Sequence, residues 1–257
     1  MGMLKTGKCK KDGYFKKTVK CTDSMIFVTK CQMPTLGGNE RREKKSLPTS
    51  EKKEKQNLRR AAENLFYLML ANFFPGDYNL AFTYPAGTVM TTAEGKEIFT
   101  KFIRLYSVYC KKQGYKCDYI YNTEVGKRGA VHHHAILHNH RDLEAIEELW
   151  TRVSGGSVQY RGKSKLRADY DWYDLAWYYV DRTKGGKLPD THVKGERRYN
   201  TSHGLKRPEI TYERVDADRW YKPRAPKGWY VVPDSIRSGA DELTGGNFLK
   251  YMVRRLI

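Results

Sequence analysis

Three consecutive histidines, His132-His133-His134, stand inside the apolar run Ala130 to Leu137. The alternation of that run reads as a β-strand, and side chains on a strand alternate faces. His132 and His134 then share one face, roughly 6.6 Å apart along the strand, and His133 points to the other. Two imidazoles side by side can grip a divalent cation. The partner run Cys117 to Glu124 is a second strand, and the turn Val125 to Gly129 folds Glu124 back beside the pair. Two nitrogens and a carboxylate make an open three-ligand set that suits Mn²⁺ or Mg²⁺ acting on a phosphate. A strand pair alone leaves another use open for Glu124, a cross-strand ion pair with Lys127 or Arg128. His133, His138 and His140 read as packing or surface histidines.

A second group of interest is Leu175-Ala176-Trp177-Tyr178-Tyr179-Val180 on a short helix. With 19 tyrosines in the chain, neither tyrosine is distinctive alone. A phenol is a weak nucleophile until its target is polarised, and a divalent cation on a phosphate does that.

The elements that must position these groups follow from periodicity. Apolar residues from Leu58 to Ala71 recur at helical spacing, and Pro75-Gly76-Asp77 stops that helix. Asn79 to Tyr84 is a strand. Thr92 caps a helix over about 93–112 that Gly114 ends. The 117–137 hairpin follows, and Asp142 caps a helix closed by Gly155-Gly156. Ser157 to Arg161 is a strand, and Asp169 caps the tyrosine helix, which runs to about Arg182. Trp229 to Val232 and Phe248 to Val253 are short strands. This order predicts an α+β fold with a central, largely antiparallel β-sheet and flanking helices.

The balance of charge points to a partner. The chain has 257 residues and a net charge of +19. Residues 1–60 carry 17 basic against 6 acidic side chains, a net of +11. Charge of this size speaks of nucleic acid or an anionic surface rather than of fold. The absence of a long basic amphipathic helix disfavours a membrane surface, and there is no run of roughly 18 apolar residues to span one. Residues 1–55 read as a basic, partly flexible arm, with a possible strand at Met25 to Val28, ahead of a domain over 56–257. Such an arm is either a solvated tail or a clamp on nucleic acid. The basic start has no apolar segment behind it, unlike a secretory signal. Cys9, Cys21, Cys31, Cys110 and Cys117 are spaced too loosely for a zinc site and fit free thiols in a reducing cytoplasm.

Three motifs together resemble the HUH endonucleases, in particular the rolling-circle replication initiators (Rep proteins) of bacterial plasmids and small phages. Asn79-Leu80-Ala81-Phe82-Thr83-Tyr84 is similar to their first motif strand. Gly129 to Leu137 is similar to the His-hydrophobic-His strand, with His133 in the middle slot. Leu175 to Val180 is similar to the helix of the nucleophilic tyrosine. The likeness covers about 55–210. Arg197 to Ser202 is similar to a basic stretch that follows the tyrosine in such initiators. The family usually has Lys three residues after the tyrosine, where this chain has Asp181; taking Tyr179 instead puts Arg182 there. Tyr178 keeps the apolar positions in register.

The resemblance implies a metal-dependent, site-specific nickase and strand transferase in a bacterial cytoplasm. His132, His134 and Glu124 would hold the metal and Tyr178 would form a 5′-phosphotyrosine bond with single-stranded or hairpin origin DNA. Lys127, Arg128, Arg161, Lys163, Lys165, Arg167, Arg182, Arg197 and Arg198 would track the DNA backbone. The chain has no GxxxxGK[ST] segment, so unwinding and synthesis would fall to a host helicase and DNA polymerase. Two rival readings are a relaxase or single-strand transposase using the same site, and a non-catalytic nucleic-acid-binding protein whose tyrosines stack bases.

Overall fold

The computed structural model describes residues 14–32, 51–160, 164–181, 197–216, 219–242 and 245–256. In chain order the first strands and helix are β1 (Tyr14–Thr22), β2 (Met25–Gln32), α1 (Glu51–Asn72) and β3 (Tyr78–Thr83). Next come α2 (Thr92–Gln113), β4 (Tyr119–Val125), β5 (Val131–Leu137), α3 (Leu143–Ser154), β6 (Ser157–Gln159) and α4 (Tyr173–Val180). The chain closes with β7 (Asn200–Thr201), β8 (Glu209–Val215), β9 (Trp229–Val231), β10 (Arg237–Ala240) and β11 (Asn247–Arg255). The strands form two antiparallel sheets, so the α+β class stands, but the single central sheet becomes two. Contacts divide the chain into a unit over Leu58–Lys206 and one over Met1–Asn57 with Arg207–Ile257. Among the described residues, no helix is long and apolar enough to cross a membrane.

The Leu58–Lys206 unit holds the five-stranded sheet, in the order β6-β3-β5-β4-β7. Alternation gives that sheet one oily face. Tyr78, Leu80 and Phe82 of β3 and Ala135 and Leu137 of β5 meet Phe99, Phe102 and Tyr106 of α2 and Ile146 and Trp150 of α3. Phe82 lies between Phe99, Phe102 and Trp150 at centroid distances of 5.2, 5.1 and 5.3 Å. Each fully buried ring stabilises the fold by roughly 1.5–3 kcal/mol, so this face fixes the register of β3, β5 and β4.

Local signals set the ends of these elements. Thr91, one residue before the expected cap, begins α2 through a capping box with Glu94, and Gly114 at φ 71° ends it. Asp142 precedes α3 without a side-chain cap bond; its carboxylate instead accepts from the Tyr106 hydroxyl at 3.1 Å. Asp169 does not cap α4. Its carboxylate accepts the Asp171 N–H and pairs with Arg167, a local turn that delays the helix until Tyr173, with Trp172 at the cap. α4 ends at Val180, two residues before the expected stop.

The second unit differs most from expectation. Residues 14–32 of the expected arm are the β1–β2 hairpin, and β1 also pairs with β8 while β2 pairs with β11. The hairpin therefore lies inside a six-stranded sheet ordered β10-β11-β2-β1-β8, with β9 on β11. Its core is Val28, Leu249, Tyr251 and Val253, with Trp220 and Trp229 packed against them. Two of the lysines that suggest a tail are absorbed by the sheet. Lys16 pairs with Glu213 at 2.6 Å, and buried Lys30 donates to the Lys222 and Arg219 carbonyls at 2.7 and 3.3 Å. The apolar Met25–Val28 run is the start of β2, as its pattern suggests. Residues 1–13 and 33–50 of the expected arm lie outside the described residues.

Candidate functional site

The polar face of the five-stranded sheet carries two rungs of side chains. On one, Glu124 of β4, His132 of β5, Thr83 of β3 and Ser157 of β6 stand side by side. On the next stand Asn122, His134, Ala81 and Gln159. The oily face on the other side forces this arrangement, since a slip by one residue would turn every one of these groups inward.

The carboxylate and the two imidazoles converge. Glu124 is 3% exposed, and its Oε1 lies 2.8 Å from His132 Nε2 and 3.1 Å from His134 Nε2. One ligand atom from each of the three lies within 4.8 Å of the others, a spacing at which they could hold a metal ion. His132 Nδ1 sits 3.3 Å from the Ala130 carbonyl, a partner that keeps the proton on Nδ1. In that tautomer the Nε2 lone pair faces the Glu124 carboxylate, a pair of donors that a shared cation would bridge. The donor set fits a divalent ion of the Mn²⁺ or Mg²⁺ kind, with positions left for substrate oxygens.

Tyr178 of α4 completes the cluster. Its hydroxyl lies 3.0 Å from His134 Nε2 and donates to Glu124 Oε1 at 3.2 Å. Burial, and then the charge of Glu124, push its phenol well above the ordinary value. The ring is still 37% exposed, so a substrate can reach it. Tyr179 is not such a group. It is fully buried, and its hydroxyl donates to Asn79 Oδ1 at 3.0 Å. Asn122 Nδ2 donates to the Tyr179 carbonyl at 3.1 Å, so two sheet asparagines pin α4 and aim Tyr178. Both asparagines escape a search for reactive residue types. Their signal is register: Asn79 and Asn122 share the face of His132 and His134.

His133 works on the opposite face. Its ring is fully buried and stacks on Phe99 at 4.4 Å. The Thr123 hydroxyl donates to its Nδ1 at 2.9 Å, and its Nε2 donates to the Tyr84 oxygen at 2.8 Å. The Tyr84 hydroxyl in turn donates to the Gly95 carbonyl at 3.2 Å. Burial and the neighbouring His132 and His134 lower its pKa from 6.5 to about 3, so the ring stays neutral. It is the packing histidine the alternation predicts.

The expected DNA-tracking residues divide. Lys127 and Arg128 are exposed in the β4–β5 turn, where Gly129 takes φ 77°. Lys165 and Arg167 are exposed, Lys165 in a bridge to Tyr78 and Arg167 paired with Asp169. Arg198 donates to the Val180 carbonyl at 3.2 Å, closing the C-terminal end of α4, and Arg197 beside it is exposed. Arg161, Lys163 and Arg182 lie outside the described residues. Asp181, in the place of the family's usual Lys, is buried, with its N–H on the Trp177 carbonyl at the end of α4.

Fold and site together define an α+β protein with a candidate His-His-Glu metal centre beside an accessible tyrosine. The family model described as Replication-associated protein ORF2/G2P matches residues 77–180. That span begins one residue before β3 and ends on the last residue of α4, so it contains Glu124, His132, His134 and Tyr178. The match supports a role in replication initiation. No curated protein and no solved structure matches the chain.

Proposed function

We propose that this chain starts rolling-circle replication by nicking single-stranded or hairpin origin DNA at a specific site. The reading rests on the Tyr178 hydroxyl lying 3.0 Å from His134 Nε2 and 3.2 Å from Glu124 Oε1. The Tyr178 oxygen attacks the scissile phosphorus and forms a phosphotyrosine bond to the 5′ end. The bond to the 3′ oxygen breaks, and that oxygen takes a proton to become the 3′-hydroxyl a host polymerase extends. A host helicase separates the strands.

His132, His134 and Glu124 would hold the divalent ion, which supplies Lewis-acid polarisation of the phosphate. Asn79 and Asn122 keep Tyr178 pointed at that place by fixing its neighbour. Glu124 Oε1 takes the hydrogen bond of the phenol, which marks the direction in which the proton leaves. Partial exposure admits the strand to Tyr178, while full burial withholds Tyr179 from it.

The test uses single-stranded oligonucleotides tiling the encoding replicon, with Mn²⁺, and a denaturing gel for a protein–DNA adduct. The native chain and Tyr179→Phe form the adduct, Tyr178→Phe does not, and mass spectrometry places the nucleotide on Tyr178. An adduct formed by Tyr178→Phe, or one mapped to Tyr179, refutes the assignment.

A further inference from the structure

Beside the cluster lies a cavity of about 360 Å³ whose role the nicking reaction leaves open. Its floor is Ala81 and Thr83, and one wall is the loop from Tyr84 to Thr88 with Met90. His132, His134, Tyr178 and Gln159 also line it. No lining residue is an Asp, Glu, Lys or Arg. The size is that of a small-molecule pocket, mostly apolar with a few polar groups.

We propose that this cavity receives one unpaired base next to the scissile phosphate, and that Gln159 reads it. The inference rests on the nicking function above. Three observations carry it. The cavity shares its rim with the groups that would handle the phosphate, so the occupant is part of the same ligand. Away from those rim groups the lining carries no Asp, Glu, Lys, Arg or His, which suits a flat neutral base. The third is Gln159. It sits on the rung of His134 and Ala81, two strands from His134, or about 10 Å across the sheet. That is the scale on which a base stands away from its own phosphate.

Around Gln159 the site is built to leave an opening. Ala81 between it and His134 is small, so the sheet surface there is low. Gln159 is exposed, and among the described residues its side-chain amide makes no hydrogen bond. An amide carries a donor and an acceptor side by side, the pair that bonds the adenine edge twice. Adenine is therefore the expected base. The loop wall is preformed, because Thr88 donates to the Pro85 carbonyl through both its N–H at 3.2 Å and its hydroxyl at 2.8 Å.

The test separates binding from cleavage. The full chain carrying Tyr178→Phe is used to select from a randomised single-stranded DNA library in EDTA, alone and with Gln159→Ala added. The chain with Gln159 enriches adenine at one position, and Gln159→Ala lowers that preference about 5-fold or more. Thermal melts of the two proteins coincide, because Gln159 is an exposed residue of an edge strand. An unchanged preference after Gln159→Ala, or a chain with Gln159 that favours no base at any position, overturns the proposal. Failure of the native chain to nick the selected sequence with Mn²⁺, when the Gln159-dependent preference is present, counts against the nicking function and leaves the pocket standing.

Discussion

Loading the His-His-Glu group with a divalent ion raises the melting temperature of the chain, and the size of the rise follows from linkage. An ion that binds only the folded state at 100 times its dissociation constant stabilises it by about 2.7 kcal/mol. A chain of this length gains roughly 2–4 °C per kcal/mol, so the rise is about 5–10 °C. The three ligand atoms come from β4 and β5, which unfolding separates, so the unfolded chain offers no comparable site. His132→Ala removes one ligand of three and its Nε2 contact to Glu124, and the rise collapses toward zero. His140→Ala is the control. Its ring stacks on Tyr115 at 4.3 Å and its Nε2 donates to the Lys116 carbonyl, apart from the cluster, so its rise stays native. The assay is scanning calorimetry in EDTA and then in millimolar MnCl₂. An equal rise in His132→Ala and the native chain, or no rise in the native chain, refutes the metal centre.

Two other perturbations test how the site is held. A Cβ on Gly156 would stand 1.8 Å from the Thr83 carbonyl oxygen, which accepts from Trp150 Nε1 at 3.0 Å. Gly156→Ala therefore costs about 2–4 kcal/mol in urea denaturation through forced strand displacement and a stranded donor, and an unchanged midpoint contradicts this packing. His133 gives a pH signature. Its folded pKa of about 3 lies below the ordinary 6.5, so below pH 6.5 the unfolded chain binds a proton that the folded chain refuses. Its contribution to stability is complete above pH 6.5 and falls by about 1.4 kcal/mol per pH unit between 6.5 and 3. His133→Gln flattens that part of the denaturation profile, and an identical slope in both proteins would show that the ring is charged in the fold.

What the sequence reveals here is what short-range pattern encodes. The alternation of Ala130 to Leu137, with a glycine-bearing turn before it, fixes the hairpin, its register and the shared face of His132 and His134. The aromatic spacing of α2 and the Ile146 to Trp150 interval of α3 mark the helices above it. The six-stranded sheet hides because its pairings are distant: β1 meets β8, and Lys16 finds Glu213 at a separation of 197 residues. Charge density in β1 suggests a tail because lysine side chains advertise solvent, while the partner that neutralises one of them lies near the other end of the chain. β8 is almost wholly exposed, an edge strand without an oily face, so no apolar alternation marks it in the sequence. The choice between Tyr178 and Tyr179 depends on which side of a two-turn helix faces the sheet. Asn79 and Asn122 hold Tyr179 against the sheet, and no local pattern around α4 announces them.

The burial of Tyr179 also sets a stoichiometry. The Tyr178 hydroxyl is within hydrogen-bond distance of Glu124 and His134, whereas the buried Tyr179 hydroxyl is turned to Asn79. Under the nicking function, one copy of the chain can then carry one DNA end at a time. Its phenol is restored only when a 3′-hydroxyl attacks the phosphotyrosine and rejoins the strand. A fresh cut made while the first end is still attached needs the tyrosine of another copy. Initiation events are then counted by protein molecules, and the supply of chain, more than its speed, sets how many strands are in progress at once.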